Sequence, residues 1–184
     1  MVLLYTYTGL MMSKSRKKEL FEYTSSGDIS GVMTLLEQRI VDVNATNVLN
    51  ETALYIACEN GHTAVAQCLL DNGADVSCGR TKPLIAAVRY GHYDCVKLLL
   101  EYHADANCSS GGETPMSVAL QKHPSDIELI LLLVQYDAIT SESFDDDIAV
   151  ELLNHAKTEH SREILKLMDG NYQLDGGEHI SGGI

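Results

Sequence analysis

Aromatic residues are scarce in this chain of 184 residues, which has no tryptophan and only two phenylalanines. The hydrophobic content is nevertheless 45%. A core of this composition has to be built mainly from alanine, leucine and valine. Such small side chains let helices stack closely, and that is the packing which the composition indicates.

Basic residues are also few. The chain has 13 lysines and arginines against 26 aspartates and glutamates, which gives a formal net charge of −13. A nucleic acid or an anionic membrane is disfavoured as a partner, because phosphate binding needs a basic face. The charge favours another protein, one with a basic surface.

Catalytic motifs are absent from the sequence. It contains no GxSxG or HExxH segment and no glycine-rich loop of the kind that cradles phosphate. The Gly111-Gly112 pair is not followed by a lysine, and the seven histidines are scattered. We therefore expect no enzymatic activity, no cofactor and no metal.

One segment of the chain occurs twice. Residues 50–77 read NETALYIACENGHTAVAQCLLDNGADVS, and residues 81–107 read TKPLIAAVRYGHYDCVKLLLEYHADAN. Gly61 and Gly91, each followed by histidine, are thirty residues apart, and the later Leu-Leu and Ala-Asp pairs keep the same spacing. Landmarks that hold one register indicate an internal repeat.

Each copy is predicted to form two short helices. Thr52 is a good N-cap, while Pro83 and Pro115 occupy first-turn positions where a missing N–H has no cost. Gly61 and Gly91 supply the left-handed backbone that ends the first helix. A second helix with regularly spaced apolar residues follows, and then a turn-rich segment too short for another helix. The unit is therefore helix, tight turn, helix and finger.

These segments resemble a known family. The runs TALYIA, KPLIAA and TPMSVA, the two Gly-His pairs, and the segments GADVS and HADAN resemble the ankyrin repeat. The resemblance implies an all-α solenoid of stacked helix-turn-helix units with finger-like β-turn loops. It also implies that His62 and His92 form bonds between neighbouring repeats. Tyr55, Ile85 and Ser117 depart from the family, since they stand where its first-helix histidine usually lies.

The repeat register divides the chain into three parts. We expect a flexible apolar and basic leader at 1–14, an ankyrin-repeat domain at 15–170 and a disordered glycine-rich tail at 171–184. A weak membrane or partner anchor is the alternative for the leader. About five repeats are expected, and the outer two act as caps because one face of each has no neighbour. Their expected bounds are 15–46, 47–78, 79–108, 109–140 and 141–170.

Two groups of residues raise the question of a metal site. Cys58, Cys68 and Cys78 are evenly spaced, but the register places them on a first helix, a second helix and a finger, which favours free thiols in a reducing cytosol over zinc. The acidic triplet at 145–147 is interpreted as the first turn of a helix, where carboxylates oppose the helix dipole favourably. A site for a cation or a basic peptide is the alternative for the triplet.

Partner binding is the function that the resemblance implies. In the family, the finger tips and the exposed side of each first helix form a concave face that contacts the partner. Val48, Leu49 and Tyr90 are apolar and aromatic anchors of the kind that interfaces favour. The alternative is that these side chains fold back onto a neighbouring finger. The predicted partner-binding residues are Val48, Leu49, Glu51, Glu59, Asn60, Arg80, Thr81, Arg89, Tyr90, Ser110, Gly111, Glu113, Gln121 and Lys122.

The sequence thus predicts an intracellular, monomeric, non-catalytic interaction module in the cytoplasm, with the nucleus as an alternative location. The alternative function is a regulatory inhibitor, or the substrate-targeting segment of a larger kinase or ubiquitin-ligase assembly. The resemblance also extends to ankyrin proteins that are hydroxylated on a finger asparagine. Asn44 and Asn107 match that position.

Overall fold

The computed structural model describes residues 15–79, 81–123 and 125–138. These residues form eight helices and, within the described ranges, no strand longer than an isolated bridge. The predicted all-α solenoid of helix pairs is confirmed. The helices are α1 (residues 15–26), α2 (Ile29–Glu37), α3 (Ala53–Glu59), α4 (Thr63–Asp71), α5 (Pro83–Arg89), α6 (Tyr93–Glu101), α7 (Pro115–Lys122) and α8 (Ile127–Gln135).

Several predictions from the sequence concern residues outside the described ranges. They are the leader at 1–14, the partner-binding residue Arg80, the fifth repeat at 141–170 with its acidic triplet, and the tail at 171–184. Among the helices that the structure does describe, none is both long enough and apolar enough to cross a membrane.

Four of the described helices, α2, α3, α7 and α8, begin at a side chain that accepts a hydrogen bond from the first turn. Thr52 Oγ1 accepts from the Tyr55 N–H at 3.1 Å, which confirms the predicted N-cap of α3. Asp126 Oδ1 accepts from the Leu129 N–H at 3.0 Å, so Asp126 is the N-cap of α8. At α5 the cap residue Lys82 makes no such bond, and a proline at the first helical position removes one donor that would otherwise need a partner.

The helices pack in two layers. In one layer α3 packs against α5 and α5 against α7, and in the other α2 packs against α4 and α4 against α6. The core lies between the layers and between successive repeats, where aliphatic side chains lose nearly all contact with water. Among the wholly buried side chains are Leu54, Leu69, Leu84, Leu99, Met116, Leu129 and Leu133.

A line of histidines joins each repeat to the one before it. The Nε2 of His62 lies 3.0 Å from the Ser25 carbonyl oxygen, and the Nε2 of His92 lies 3.0 Å from that of Glu59. A carbonyl oxygen can only accept, so Nε2–H is the donor in each case. These bonds confirm the role expected of His62 and His92.

A third histidine extends this line. His123 Nε2 lies 3.0 Å from the Arg89 carbonyl oxygen, although no Gly-His pair precedes α8. This bond was not predicted from the sequence, because His123 is not preceded by glycine as His62 and His92 are.

Each histidine ring packs against the glycine that ends the first helix of the preceding repeat. A Cβ added at Gly61 would lie 2.7 Å from the His92 ring, and one at Gly27 would lie 3.0 Å from the His62 ring. Gly61 also has a φ of +72°, which L side chains rarely adopt. Glycine is therefore required at this turn for two independent reasons.

Helix α2 of the first repeat contains a glycine in its interior. A Cβ added at Gly31 would lie 2.6 Å from the aromatic ring of Tyr23, so the large ring on α1 fits only because the facing position has no side chain. In the second repeat the same two register positions carry Ala57 and Val65, both buried. In the first repeat the large side chain is therefore on the first helix and the small residue on the second, whereas in the second repeat the first helix carries the smaller side chain.

Replacing Gly31 by alanine adds a methyl group that overpacks the contact with Tyr23, at a cost toward the upper end of about 1–3 kcal/mol because three ring carbons would lie within 2.7 Å. The advantage of alanine over glycine in a helix, about 1 kcal/mol, offsets part of this cost, so the free energy of unfolding should fall by about 1–2 kcal/mol. Urea denaturation measures the change. The paired replacement Tyr23→Ala with Gly31→Val, which copies the second repeat, should be more stable than Gly31→Val alone. An alanine variant as stable as the wild type would contradict the packing described here.

Candidate protein-binding surface

The first finger, residues 44–51 between α2 and α3, presents two apolar side chains to solvent at its tip. Val48 is 100% exposed and Leu49 is 64% exposed, so neither folds back onto a neighbouring finger. An antiparallel bridge between Thr46 and Thr52 closes the base of the finger. The tip therefore has an ordered base and an uncovered apolar end.

Asn47 fixes the conformation of this tip. Its Oδ1 accepts from the backbone N–H groups of Leu49 and Glu51, at 2.8 and 3.0 Å. Its Nδ2 donates to Glu51 Oε2 at 2.8 Å, and its backbone N–H donates to the Glu51 carbonyl at 2.8 Å. These four hydrogen bonds fix the backbone of the tip and leave the side chains of Val48 and Leu49 uncovered.

A groove lies beside the first finger. It has a volume of about 980 Å³, and most of its lining surface is apolar. The half-buried side chains of Phe21 and Ile56 come from the first helices of repeats one and two. The lining residues are Lys17, Lys18, Phe21, Glu22, Ser25, Ser26, Thr46, Asn47, Val48, Glu51, Ile56, Glu59 and Asn60.

Glu59 is held at the groove by two phenols. Tyr55 and Tyr90 donate to the same oxygen, Glu59 Oε1, at 3.0 and 3.4 Å. Burial, followed by the hydrogen bond to Glu59, raises the pKa of the Tyr55 hydroxyl far above its ordinary value. The phenol therefore remains a donor, and it fixes the direction of the carboxylate.

Repeats three and four carry a charged contact between predicted binding residues. The Arg89 guanidinium forms an ion pair with Glu113, and each side chain is about one-third exposed. Two residues that were both predicted to contact the partner therefore also bind each other across two repeats. The Tyr90 ring, 51% exposed in total, stacks on the His92 ring with centroids 6.3 Å apart.

The remaining predicted residues are spread along the same side of the solenoid. Ser110 and Glu113 close the third finger through reciprocal backbone hydrogen bonds of 3.0 and 3.1 Å. Gly111 is exposed at the tip of that finger, and Thr81 is half-buried. Gln121 and Lys122 are exposed at the end of α7.

The groove brings together only part of the predicted set. Val48, Glu51, Glu59 and Asn60 line it, whereas Leu49 and the described members of the set in repeats three and four do not. The two apolar residues of the floor, Phe21 and Ile56, were not among the residues predicted from the sequence. A signal was present at position 21, where a phenylalanine follows the polar run at 15–19 in the first helix.

The two predicted hydroxylation sites connect fingers to the repeats that follow. Asn44 Oδ1 accepts from the Asp75 N–H at 2.8 Å, and Asn44 Nδ2 donates to the Gly73 carbonyl at 3.3 Å. Asn107 Nδ2 donates to the Asp137 carbonyl at 2.8 Å. The side-chain amides thus stabilise the stacking of fingers, and hydroxylation at these positions stays a prediction.

The cysteines are free thiols in the structure. Cys58 and Cys95 are buried against each other, and the Thr63 hydroxyl lies 3.3 Å from Cys95 Sγ. The hydrogen bond with Cys58 is the main cause that lowers the pKa of Cys95 to about 7. In the described ranges, no group of three or more histidine, cysteine and acidic residues is placed to hold a metal ion.

Comparison with known proteins identifies the repeats. A family model described as ankyrin repeats (3 copies) matches residues 20–110 and 79–145. The ankyrin repeat and KH domain-containing protein mask-1 of Caenorhabditis elegans is 29% identical over 143 residues, which are 77% of this chain and 5% of that protein. The ankyrin repeat protein FPV014 of Fowlpox virus is 30% identical over 168 residues, which are 89% of this chain and 36% of that protein.

A third relative is more similar over a shorter segment. The ankyrin repeat and SOCS box protein 11 of Danio rerio is 41% identical over 103 residues, which are 54% of this chain and 34% of that protein. The chain thus spans little more than a third, or less, of the length of these curated relatives.

Proposed function

Because the chain belongs to the ankyrin-repeat family, whose repeats are protein-protein interaction modules, we propose that it binds a partner protein along the side formed by its fingers and first helices. The observation that carries this proposal is the first finger, where Val48 and Leu49 are exposed on a loop fixed by Asn47. Exposed apolar side chains on a loop whose backbone is already ordered leave less backbone entropy to be lost when a partner binds.

The charge of the chain indicates the character of the partner surface. With a formal net charge of −13, the protein attracts basic surfaces and repels acidic ones, which raises the rate of encounter with a basic partner. We propose that the protein acts as a monomer inside the cell, in the cytoplasm or the nucleus, and that it has no catalytic role of its own.

A role within a larger assembly is the second candidate. The relative from Danio rerio has a name that combines ankyrin repeats with a SOCS box, and the present chain matches only 34% of its length. This similarity shows that repeats of this kind occur within longer proteins. On that basis we propose, as the second candidate, a regulatory inhibitor or the substrate-targeting segment of a larger kinase or ubiquitin-ligase assembly. Recovery of a kinase or ligase subunit as the main bound protein would favour this candidate.

Replacing Val48 and Leu49 together by serine is expected to abolish recovery of the partner from extracts of the native cell, with no loss of helical circular dichroism. Both side chains are exposed, so their removal should not disturb the core. Affinity capture with quantitative mass spectrometry measures the recovery. The matched control is Met33→Ser with Ile40→Ser, because these side chains are also apolar and exposed, at 45% and 47%, but lie on and just after α2.

The control decides between two surfaces. We expect the partner to be recovered by the wild type and by the Met33/Ile40 variant, but not by the Val48/Leu49 variant. A protein that is lost only from the Met33/Ile40 variant would move the interface to the second-helix side and contradict the proposal.

A further inference from the structure

The groove beside the first finger has an apolar floor that no described side chain covers. Phe21 and Ile56 are half-buried there, and Val48 stands fully exposed at its edge. Its volume of about 980 Å³ is at the upper end of the range of about 300–1,000 Å³ for sites that enclose a small ligand. The space is therefore sufficient for a few side chains of a peptide.

Two carboxylates of this groove are oriented by neutral donors alone. Asn47 Nδ2 binds Oε2 of Glu51, and both phenols bind Oε1 of Glu59. Within residues 15–79, 81–123 and 125–138, neither glutamate forms an ion pair. In the same ranges, Glu51 Oε1 and Glu59 Oε2 accept no hydrogen bond. Hydrogen bonds to carboxylates are strongest when the donor is charged, so both groups can gain from a cation.

The cationic residues of the groove do not satisfy these carboxylates. Lys18 pairs with Glu22 at 3.3 Å, and both of those side chains are mostly exposed on α1. Glu51 and Glu59, by contrast, are half-buried in the second repeat. A partner cation would meet carboxylates that are already fixed in direction, and water and salt would screen the attraction less there than at an exposed pair.

The exposed face of Tyr90 favours one kind of cation. Its hydroxyl lies 3.4 Å from Glu59 Oε1, and half of the residue is open to solvent. A planar guanidinium can bond a carboxylate and stack on a neighbouring aromatic ring at the same time, whereas an ammonium group has only a point charge to offer.

We propose that this groove binds a peptide segment of the partner in which an arginine lies next to a large apolar residue. The apolar side chain packs on Phe21 and Ile56, and the arginine binds Glu51 and Glu59 beside Tyr90. This inference rests on the proposed function and specifies the partner chemistry for one part of the surface.

The test uses a phage-displayed library of random peptides as the probe and the full chain as the bait. Peptides with arginine next to leucine, isoleucine, phenylalanine or methionine should be enriched on the wild type and not on the double variant Glu51→Gln, Glu59→Gln. Glutamine keeps an amide oxygen to accept from Asn47 and the tyrosines, so the fold of the finger is preserved. Absence of enrichment, or equal enrichment on both baits, would overturn the proposal.

Affinities of the most enriched peptide then separate specific contacts from general attraction. By fluorescence anisotropy, the double variant and Ile56→Ser should each weaken binding by about tenfold or more, equivalent to about 1.4 kcal/mol. Glu101→Gln is the matched control, because Glu101 is an exposed glutamate at the end of α6, outside the groove. An equal loss of affinity with Glu101→Gln would mean that long-range charge attraction, and not contact in the groove, causes the effect, and it would overturn the proposal.

Two other occupants of the groove would also be detected. A synthetic peptide of residues 1–12 that displaces the arginine peptide would assign the groove to this chain's own leader. Self-association in sedimentation runs that Ile56→Ser abolishes would assign it to a second copy. Either result overturns the arginine proposal, while the proposed function still depends on the Val48/Leu49 variant alone.

Discussion

Replacement of Leu99 by alanine is expected to lower the free energy of unfolding by about 2–5 kcal/mol, because the side chain is wholly buried and its removal leaves a cavity as well as a loss of apolar burial. Leu69→Ala should behave alike, since Leu69 occupies the same position in α4 and is also wholly buried. Guanidinium or urea denaturation followed by circular dichroism measures both changes.

Leu49→Ala is the matched control for these substitutions. The chemical change is identical, but Leu49 is 64% exposed, so the loss should remain within about 0.5 kcal/mol. A change below that size at both Leu69 and Leu99 would mean that the repeat register is wrong. A large loss at Leu49 would mean that the finger packs against another part of the protein.

Gly61→Ala is expected to cost about 2–5 kcal/mol in two parts. The positive φ of +72° costs an L side chain about 1–2 kcal/mol. The new Cβ, 2.7 Å from the His92 ring, adds an overpacking cost of about 1–3 kcal/mol, either as strain or through displacement of the ring from the Glu59 carbonyl.

Gly73→Ala isolates the first of these parts. Gly73 also follows a helix and has a φ of +86°, but a Cβ there would meet nothing within 4 Å. Its substitution should therefore cost only about 1–2 kcal/mol. If denaturation gave equal losses for Gly61→Ala and Gly73→Ala, the histidine packing would contribute nothing to stability.

Features that recur along the chain could be predicted from the sequence. Thr52, Gly61 and Gly91 each carry a local signal, a cap or a turn, and the repetition of that signal fixes where helices begin and end. Stacking positions such as Leu99 follow from the same register. The fold could therefore be predicted because the same helix signals recur in each repeat.

Features that depend on pairs of side chains from different repeats could not be predicted in the same way. The ion pair between Arg89 and Glu113 joins residues that had each been assigned to the partner. The groove arises where α1 meets the first finger, and its floor residue Ile56 has buried counterparts in repeats three and four, Ala86 and Val118. One sequence position thus has different exposure in different repeats, which a periodic pattern cannot encode.

The first repeat shows the same limit within its own core. Tyr23 and Gly31 carry volumes opposite to those of the second repeat, and only their contact explains why glycine is tolerated inside α2. A propensity scale applied to the sequence registers an unfavourable residue at that position. The compensation becomes visible only when the two helices are placed side by side.

The line of histidine bonds also determines how such an array can grow. The second repeat donates from His62 to the repeat before it and offers the Glu59 carbonyl and Gly61 to the repeat after it. If this repeat were duplicated in tandem, the histidine of the second copy would therefore bond to the carbonyl and pack on the glycine of the first copy. In the first repeat Asp28 replaces the histidine and instead caps α2 through the Gly31 N–H at 3.0 Å. Insertion by duplication is accordingly compatible with the middle of the solenoid, whereas a copy of the first repeat would interrupt the line wherever it was inserted.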